Sequence, residues 1–102
     1  MQSVVSFAPE AEAQLISLFR YIAREASADI ASRYVGAIVE RCEKLADFPH
    51  RGTPRDDLRP GLRTIAFRRR VTIAYSAIGV SVTILGIFYG GQDFAALLAD
   101  DA

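Results

Sequence analysis

The sequence predicts an α+β fold in which a helix hairpin packs on one face of a small, mostly antiparallel sheet. Two stretches with apolar residues at helical spacing come early in the chain, and hardly any connecting chain separates them. Three short stretches rich in β-branched and aromatic residues follow a loop with several prolines and glycines. With one more strand at the start, the order is β-α-α-β-β-β. A helix hairpin laid across one sheet face is the simplest arrangement that buries both helix stripes.

The size and composition of the chain predict one small domain over residues 1–102. Folding at this length buries roughly two-thirds of the chain's surface, so a modest core needs neither metals nor disulfides. No apolar run approaches the roughly 20 residues of a membrane span, and the N-terminus lacks the pattern of a signal peptide. The chain has one cysteine, Cys42, and one histidine, His50, too few for a zinc site or an internal disulfide. We therefore expect a cytoplasmic protein with no cofactor.

The first strand and first helix are predicted from local signals. Val4 to Phe7 is a short strand, and Pro9 suits the first turn of a helix, where a missing N–H has no partner to lose. The core-facing residues of this helix follow at spacings of four, three and four: Ala11, Leu15, Leu18 and Ile22. Ile16 and Phe19 widen the apolar surface well beyond what one sheet would cover. This width indicates a surface that a partner can bind.

The second helix is predicted to begin after Ser27, whose side chain can cap it, and to end by Pro49. Its apolar stripe has a period close to 3.6 residues: Ala31, Val35, Ile38, Cys42 and Leu45. Tyr34 lies roughly 100° away from that stripe by the same periodicity. The short link between the two helices forces them into an antiparallel hairpin.

Three strands follow the breaker-rich loop of residues 48–61. They are predicted at Leu62 to Phe67, at Val71 to Ala77 and at Val80 to Tyr89, with Gly79 in the last turn. Strict alternation along the last strand divides its apolar residues between two faces. It puts Val82, Ile84 and Phe88 on one face and Leu85 and Ile87 on the other. Such a strand is covered on both faces or awaits a partner.

The formal net charge is zero, but the positive charge is concentrated in one segment. Residues 51–70 contain seven arginines and two aspartates, which gives +5 over 20 residues. Eleven of the twelve basic residues are arginine, whose planar fork suits carboxylate and phosphate groups. This segment is either a solvated loop held by local ion pairs or a surface for an acidic partner.

Several motifs make the chain similar to the ParE branch of the RelE/ParE superfamily of bacterial toxins. The connector carries the most specific ones, Leu45-Ala46-Asp47-Phe48-Pro49 and Gly52-Thr53-Pro54-Arg55-Asp56-Asp57-Leu58-Arg59-Pro60-Gly61-Leu62-Arg63. The resemblance continues through Phe67, Thr72-Ile73-Ala74-Tyr75 and the stretch from Val82 to Phe94. It covers nearly the whole chain and implies the same α+β fold.

The resemblance implies a toxin of a type II toxin–antitoxin pair. RelE-like members cut messenger RNA on the ribosome, whereas ParE-like members inhibit DNA gyrase and leave DNA breaks. Both are neutralised by a cognate antitoxin, here ParD-like or similar, that wraps the toxin in a hetero-oligomer. RNA cleavage needs a general base, an acid and cations. The tail Gly91-Gln92-Asp93-Phe94 supplies none of the basic residues that RelE-like toxins use, so the sequence favours gyrase inhibition without a catalytic residue.

The candidate site residues form two sets. For the gyrase contact we predict Arg63, Arg68, Arg69, Arg70, Tyr89 and Phe94. For the antitoxin contact we predict Ile16, Phe19, Tyr34 and Tyr75. We expect no membrane association and no direct sequence-specific binding of nucleic acid.

Two other functions remain open from the sequence. The first is a ribosome-dependent endoribonuclease that uses Arg63, Arg69 and Tyr89. The second is an inactive toxin fold that serves only as an antitoxin-binding co-repressor. Gln92 motivates this second alternative, because the family often has a basic residue at that position.

Overall fold

The computed structural model describes residues 4–89 and has the predicted α+β architecture. The elements run in the order β1 (Val4–Phe7), α1 (Pro9–Glu25), α2 (Ala28–Glu43), a 3₁₀ turn (Lys44–Ala46), β2 (Thr53–Pro54), β3 (Leu62–Phe67), β4 (Val71–Ile78) and β5 (Ser81–Tyr89). The strands form one sheet in the order β1-β5-β4-β3-β2. β1 is parallel to β5, and every other neighbouring pair is antiparallel. The prediction of a mostly antiparallel sheet is confirmed.

Both helices begin where the sequence predicts. α1 has Pro9 in its first turn and no side-chain cap, because Ala8 at the N-cap has no oxygen to offer. The hydroxyl of Ser27 caps α2 by accepting a hydrogen bond from the backbone N–H of Ile30 at 3.1 Å. Acidic residues in the first turn of each helix, such as Glu10 and Asp29, stabilise its positive end.

The main core lies between the helix hairpin and one face of the sheet. Its fully or nearly fully buried residues include both helix stripes and the inward side chains of β3, β4 and β5: Ala11, Leu15, Leu18, Ile38, Cys42, Leu45, Ile65, Phe67, Ile73, Tyr75, Val82, Ile84 and Ile87. A second, smaller cluster of buried residues is formed by Leu62, Ala74 and Phe88. No helix residue of the described chain belongs to this second cluster, which therefore marks the opposite face of the sheet.

A β-bulge in β5 changes which side chains face the helices. Ala74 pairs with Gly86 but the next residue, Tyr75, pairs with Ile84, so Leu85 is an extra residue on β5. Ile87 consequently joins the helix-side core, while Phe88 joins the second cluster. The expectation from strict alternation, which placed these two residues on the reverse faces, is therefore wrong beyond the bulge.

The turns and the sheet edge complete the scaffold. Gly79 joins β4 to β5 with φ of +59°, in the left-handed region that glycine adopts without strain. β2 has only two residues and was not predicted, because a strand this short and containing Pro54 has no periodicity to detect. Its position at the sheet edge suits proline, which cannot donate to a neighbouring strand.

None of the helices described between residues 4 and 89 is long and apolar enough to cross a membrane.

Candidate functional site

The β3–β4 hairpin ends in three consecutive arginines, Arg68–Arg70, here called the arginine turn. The backbone N–H of Arg70 donates to the carbonyl of Phe67 at 3.2 Å, and φ is +50° at Arg68 and +62° at Arg69. Positive φ at both central residues is typical of a type I′ turn, which Asn-Gly adopts most easily. For other residues the left-handed region costs about 1–2 kcal/mol each. The arginine turn is therefore strained, and folding alone would favour Asn-Gly.

Arg68 is held against aromatic rings at the base of the turn. Its guanidinium carbon lies 4.9 Å from the ring centroid of Phe67 and 5.5 Å from that of Tyr34. The two rings themselves meet edge to face, with centroids 5.6 Å apart and planes at 87°. Cation–π contacts of this kind contribute about 0.5–1 kcal/mol at exposed sites. The Arg68 side chain therefore contacts both α2, through Tyr34, and the end of β3, through Phe67.

The other two arginines lie in a groove between the helix hairpin and the ends of β4 and β5. This groove has a volume of about 620 Å³ and is here called the arginine–tyrosine groove. It is lined by Leu18, Tyr21, Ile22, Tyr34, Arg69, Arg70, Val71 and Tyr89. The rings of Tyr21 and Tyr89 lie beside each other with centroids 6.1 Å apart and planes tilted by 37°. Three phenol rings and two guanidinium groups thus share one concave surface.

The charge of the groove is positive throughout its described lining. Its charged groups are the guanidiniums of Arg69 and Arg70, and no carboxylate or imidazole stands among the described lining residues. Guanidinium forks bind carboxylate and phosphate groups, and phenol rings add apolar contact area with a polar end. The groove can therefore bind an anionic surface, but its described lining offers no general base that is active near neutral pH.

Four of the six residues predicted for the gyrase contact come together at this end of the sheet. They are Arg68, Arg69, Arg70 and Tyr89. Phe94 lies outside the described residues. The sixth, Arg63, is at the far end of β3, about 13 Å from Phe67, the last strand residue before the arginine turn, at roughly 3.3 Å per strand residue. It does not belong to the groove.

Arg63 anchors the connector between α2 and β3. Its Nη1 donates to the carbonyl of His50 at 2.9 Å and to the carbonyl of Gly52 at 2.7 Å. Both bonds hold loop backbone against the start of the sheet. The expectation that Arg63 faces outward to a partner therefore disagrees with the structure, in which its guanidinium faces the loop.

Tyr75 holds the same loop from inside the core. It is fully buried, and its hydroxyl accepts a hydrogen bond from the backbone N–H of Gly52 at 2.9 Å. Burial raises the pKa of this hydroxyl, while the Gly52 hydrogen bond and the charge of Arg63 act to lower it. A Cβ atom at position 52 would approach the Thr64 carbonyl to 2.7 Å, so only glycine fits between these groups. The expectation that Tyr75 contacts an antitoxin directly does not agree with this burial.

Local contacts order the rest of the connector. Arg55 and Asp57 form a two-pronged ion pair with distances of 3.0 and 3.1 Å, and this lowers the pKa of the Asp57 carboxyl. Asp56 accepts a hydrogen bond from the backbone N–H of Gly61 at 2.9 Å. Of the two interpretations of the arginine-rich segment, local ion pairs thus describe the connector. For the arginine turn, a surface for an acidic partner stays a prediction.

The residues predicted for the antitoxin contact occupy different surfaces. Ile16 is 52% exposed on α1, and Phe19, three positions later and adjacent on the helix surface, is half-buried. Tyr34 lies in the arginine–tyrosine groove and not beside these two. The wide apolar surface predicted for α1 is therefore present. Tyr34, which was predicted to contact the antitoxin together with Ile16 and Phe19, belongs to the groove instead.

Tyr21 is the groove residue that the sequence did not reveal. It lies off the apolar stripe of α1 and is 44% exposed, so its periodicity resembles that of any surface tyrosine. Tyr21 becomes part of the groove only because the end of β5 brings Tyr89 beside it.

A second hollow of about 700 Å³ is bounded by the consecutive residues 48–51 of the connector. It contains His50 without a second acid or base among its described lining residues.

A helix hairpin on a mixed five-stranded sheet is the α+β fold expected of the RelE/ParE superfamily toxins. The family model for the ParE toxin of the type II toxin–antitoxin system parDE matches residues 5–94. The chain belongs to this family and is a ParE-type toxin, and the family implies an antitoxin partner.

Individual relatives agree with this assignment. The chain is 35% identical over 81 residues to Toxin ParE3 of Caulobacter vibrioides, and the match covers 79% of this chain and 80% of the relative. The fold is also similar to a solved structure described as the chromosomal ParDE TA system from P. aeruginosa, with a TM-score of 0.75. That match has 22% identity and covers 86% of this chain and 96% of the other, so it supports the fold alone.

Proposed function

We propose that this toxin inhibits DNA gyrase and that the arginine–tyrosine groove makes the main contact. The observation that carries the proposal is the strained arginine turn, which directs two guanidiniums into a groove also lined by three tyrosines. Backbone strain persists where the surrounding structure over-determines it, and it is concentrated at functional sites. The ParE family, whose resemblance implies gyrase inhibition, supports the choice of target.

Ribosome-dependent RNA cleavage has less support from the geometry. The three residues considered for that chemistry do not share one site, because Arg63 holds the connector while Arg69 and Tyr89 line the groove. Cleavage through the 2′-oxygen needs a base to remove its proton. The polar side chains of the described groove lining are phenols and guanidiniums, with no carboxylate or imidazole to serve as that base. Gyrase inhibition, which needs binding and no proton transfer by the toxin, fits this set better.

We propose that a ParD-like antitoxin neutralises the toxin by covering two adjoining surfaces. An apolar segment would bury Ile16 and Phe19 on α1, since an amphipathic helix binds such anchors at spacings of three and four. Contact of the antitoxin with Tyr34 would also cover the arginine–tyrosine groove, because Tyr34 lines it. Acidic residues of the antitoxin would face Arg69 and Arg70. Neutralisation then follows from occlusion of the groove.

The test is the double charge reversal Arg69→Glu with Arg70→Glu. We expect it to abolish inhibition of purified gyrase in DNA supercoiling and cleavage assays, because it changes the charge of the groove by four units. A matched control, Arg20→Glu with Arg24→Glu, makes the same charge change on exposed α1 positions and should keep inhibition. Full inhibition by the groove variant would overturn the proposed contact.

Expression of the unaltered chain in cells separates the possible targets. Growth arrest with DNA breaks and intact transcripts is the expected result. Arrest with cut transcripts and intact DNA would replace gyrase by messenger RNA as the target. An absence of arrest would favour the inactive antitoxin-binding fold.

A further inference from the structure

A further hollow, with a volume of about 480 Å³, opens at the β3 side of the sheet. Its described lining comes from α2, the connector, β2, β3 and β4, and consists of Arg41, Arg51, Gly52, Thr53, Thr64, Ile65, Ala66 and Thr72. None of these residues lines the arginine–tyrosine groove. The hollow is here called the threonine–arginine cleft.

The strand register gathers three threonines in this cleft. Thr53 of β2 pairs directly with Thr64 of β3, and Thr72 of β4 pairs with Ala66, two positions further along β3. Side chains of paired residues, and of alternate residues along a strand, lie on the same face of a sheet. Because Ile65 belongs to the helix-side core, these threonines lie on the opposite face. Neighbouring threonines of the row are about 5 to 8 Å apart.

The backbone of β3 is open at the cleft. β2 begins at Thr53, opposite Thr64, and does not reach Ala66. The carbonyl of Leu62 accepts a hydrogen bond from the Arg55 N–H at 2.7 Å, so the backbone of Leu62 faces the β2 side. Since alternate residues of an antiparallel strand bond toward the same neighbour, Ala66 directs its N–H and its carbonyl to the same side. The Ala66 N–H therefore points into the cleft.

The two guanidiniums of the cleft have no counter-charge. Arg41 is half-buried near the end of α2 and Arg51 is exposed in the connector, and within residues 4–89 neither side chain forms an ion pair or a hydrogen bond. The same holds for the three threonine hydroxyls. By contrast, Arg55 is paired with Asp57, and Arg63 donates to two loop carbonyls. No carboxylate stands among the described lining residues, so the cleft keeps its charge and its donors for a ligand.

This set of donors suits phosphate better than carboxylate. Phosphate oxygens in complexes accept hydrogen bonds mainly from arginine, from hydroxyl side chains and from backbone N–H groups, and all three are present here. The donors come from α2, from the connector and from the sheet, and therefore from several directions. A tetrahedral phosphate has oxygens in several directions, whereas a planar carboxylate is matched by donors that lie in its plane.

We propose that the threonine–arginine cleft binds phosphate groups. The guanidiniums of Arg41 and Arg51 supply the charge, and the hydroxyls of Thr64 and Thr72 with the N–H of Ala66 supply further hydrogen bonds. The phosphates belong to a nucleic-acid strand or to a free nucleotide. Phosphate contacts read no bases, so the proposal agrees with the expected absence of sequence-specific binding. It does not depend on gyrase being the target.

Amide NMR of the full chain, made by cell-free synthesis, tests the site. The probes are inorganic phosphate, thymidine monophosphate and a single-stranded oligothymidylate. We expect saturable shifts of the Thr64 and Ala66 amide signals, which Arg41→Gln with Arg51→Gln should abolish. The matched control, Arg20→Gln with Arg24→Gln, removes two charges from exposed positions of α1 and should keep the shifts. The dispersion of each spectrum verifies that the variant is folded. Unshifted Thr64 and Ala66 signals with all three probes would overturn the proposal.

The salt dependence of oligothymidylate binding counts the contacts. Each phosphate contact to a single strand contributes about 0.7 to the slope of log affinity against log salt. The Arg41 and Arg51 double variant should therefore lower this slope by about 1.4 and weaken binding at least fivefold at low salt. The Arg20 and Arg24 control should change neither. An unchanged slope and affinity in the double variant at positions 41 and 51 would contradict the cleft as the binding site.

Comparison of the probes identifies the source of the phosphate. Oligothymidylate that binds at least tenfold tighter than thymidine monophosphate would indicate a nucleic-acid strand, and equal affinities would indicate a free nucleotide. A pentaglutamate peptide is the competing ligand, because an extended acidic segment would bond both the N–H and the carbonyl of Ala66. If this peptide saturates the Ala66 shift at lower concentration than every phosphate probe, the cleft is a protein-binding site and the proposal is wrong.

Discussion

The side chain of Gln14 in α1 accepts a hydrogen bond from the backbone N–H of Ile87 in β5, at 2.7 Å and across 73 positions of sequence. β1 stops opposite Ile84, so no strand within residues 4–89 supplies an acceptor for this N–H beyond the bulge at Leu85. Gln14 thus replaces a strand partner with a side chain. The bond connects the helix hairpin to the part of β5 that ends at Tyr89.

Gln14→Leu is expected to destabilise the fold by about 1–3 kcal/mol, because it leaves the partly buried Ile87 N–H without its acceptor. Gln14→Glu keeps an acceptor oxygen at nearly the same place and is the matched control. Urea denaturation of the three chains measures the difference. Equal midpoints for Leu and Glu would show that the bond makes no net contribution.

The starts of both helices and the turn between β4 and β5 follow from local chemistry and were therefore predictable. Pro9, the Ser27 cap and the turn at Gly79 each act within a few residues of chain. The bulge at Leu85 was not predictable, because it depends on the pairing of β5 with β4 and on the acceptor that Gln14 provides. A single unpaired residue was enough to exchange the faces of Ile87 and Phe88.

The candidate site was predictable to the extent that its charge is continuous in sequence. Three consecutive arginines mark the arginine turn, but nothing in the sequence shows that Arg63 bends back to the connector. Tyr21 and Tyr89 come from opposite ends of the chain and meet only through the fold. Charge runs can be read locally, whereas the aromatic part of the groove depends on tertiary packing.

Arg69→Gly should stabilise the fold while it weakens the toxin. Relief of the strain at left-handed φ raises the free energy of unfolding by about 1–2 kcal/mol. The greater flexibility of glycine in the unfolded chain lowers it again by about 0.5–1 kcal/mol. Arg69→Ala is the matched control, since it removes the same guanidinium but keeps φ of +62° unfavourable. We expect Gly to exceed Ala in stability by about 1 kcal/mol in urea denaturation.

Both changes at position 69 should reduce gyrase inhibition to a similar extent, because both remove the charge from the groove. Unreduced inhibition by either variant would contradict a role for the Arg69 side chain. A stability lower for Gly than for Ala would contradict the strain.

Tyr75→Phe should cost about 1–3 kcal/mol of stability, because the buried N–H of Gly52 then loses its acceptor. Thermal or urea denaturation measures the loss. Antitoxin affinity, measured by calorimetry below the unfolding range, should stay unchanged since Tyr75 has no exposed surface. A tenfold loss of affinity at unchanged stability would return Tyr75 to the antitoxin surface. Phe19→Ser is the comparison variant for antitoxin affinity, because the half-buried ring of Phe19 is a proposed antitoxin contact.

The pH dependence of stability should report the burial of Cys42. Burial, followed by the charge of Glu43, raises the pKa of the Cys42 thiol from 9.0 to about 12. Below pH 9 the thiol is protonated in both the folded and unfolded chains, so it contributes no pH dependence. Between about pH 9 and 12 the unfolded chain loses this proton while the folded chain keeps it, and stability falls as pH rises.

Cys42→Ala lacks this titration and keeps every other titratable group of the chain. Subtracting its stability curve from that of the unaltered chain, by urea denaturation from pH 7.5 to about 10.5, therefore isolates the thiol. We expect the stability advantage of cysteine to be constant up to about pH 9 and then to shrink. A stability advantage of cysteine that grew with pH would mean that the folded chain stabilises the thiolate. Rapid labelling of Cys42 by a thiol reagent at pH 8 would mean that the core around α2 is readily exposed to solvent.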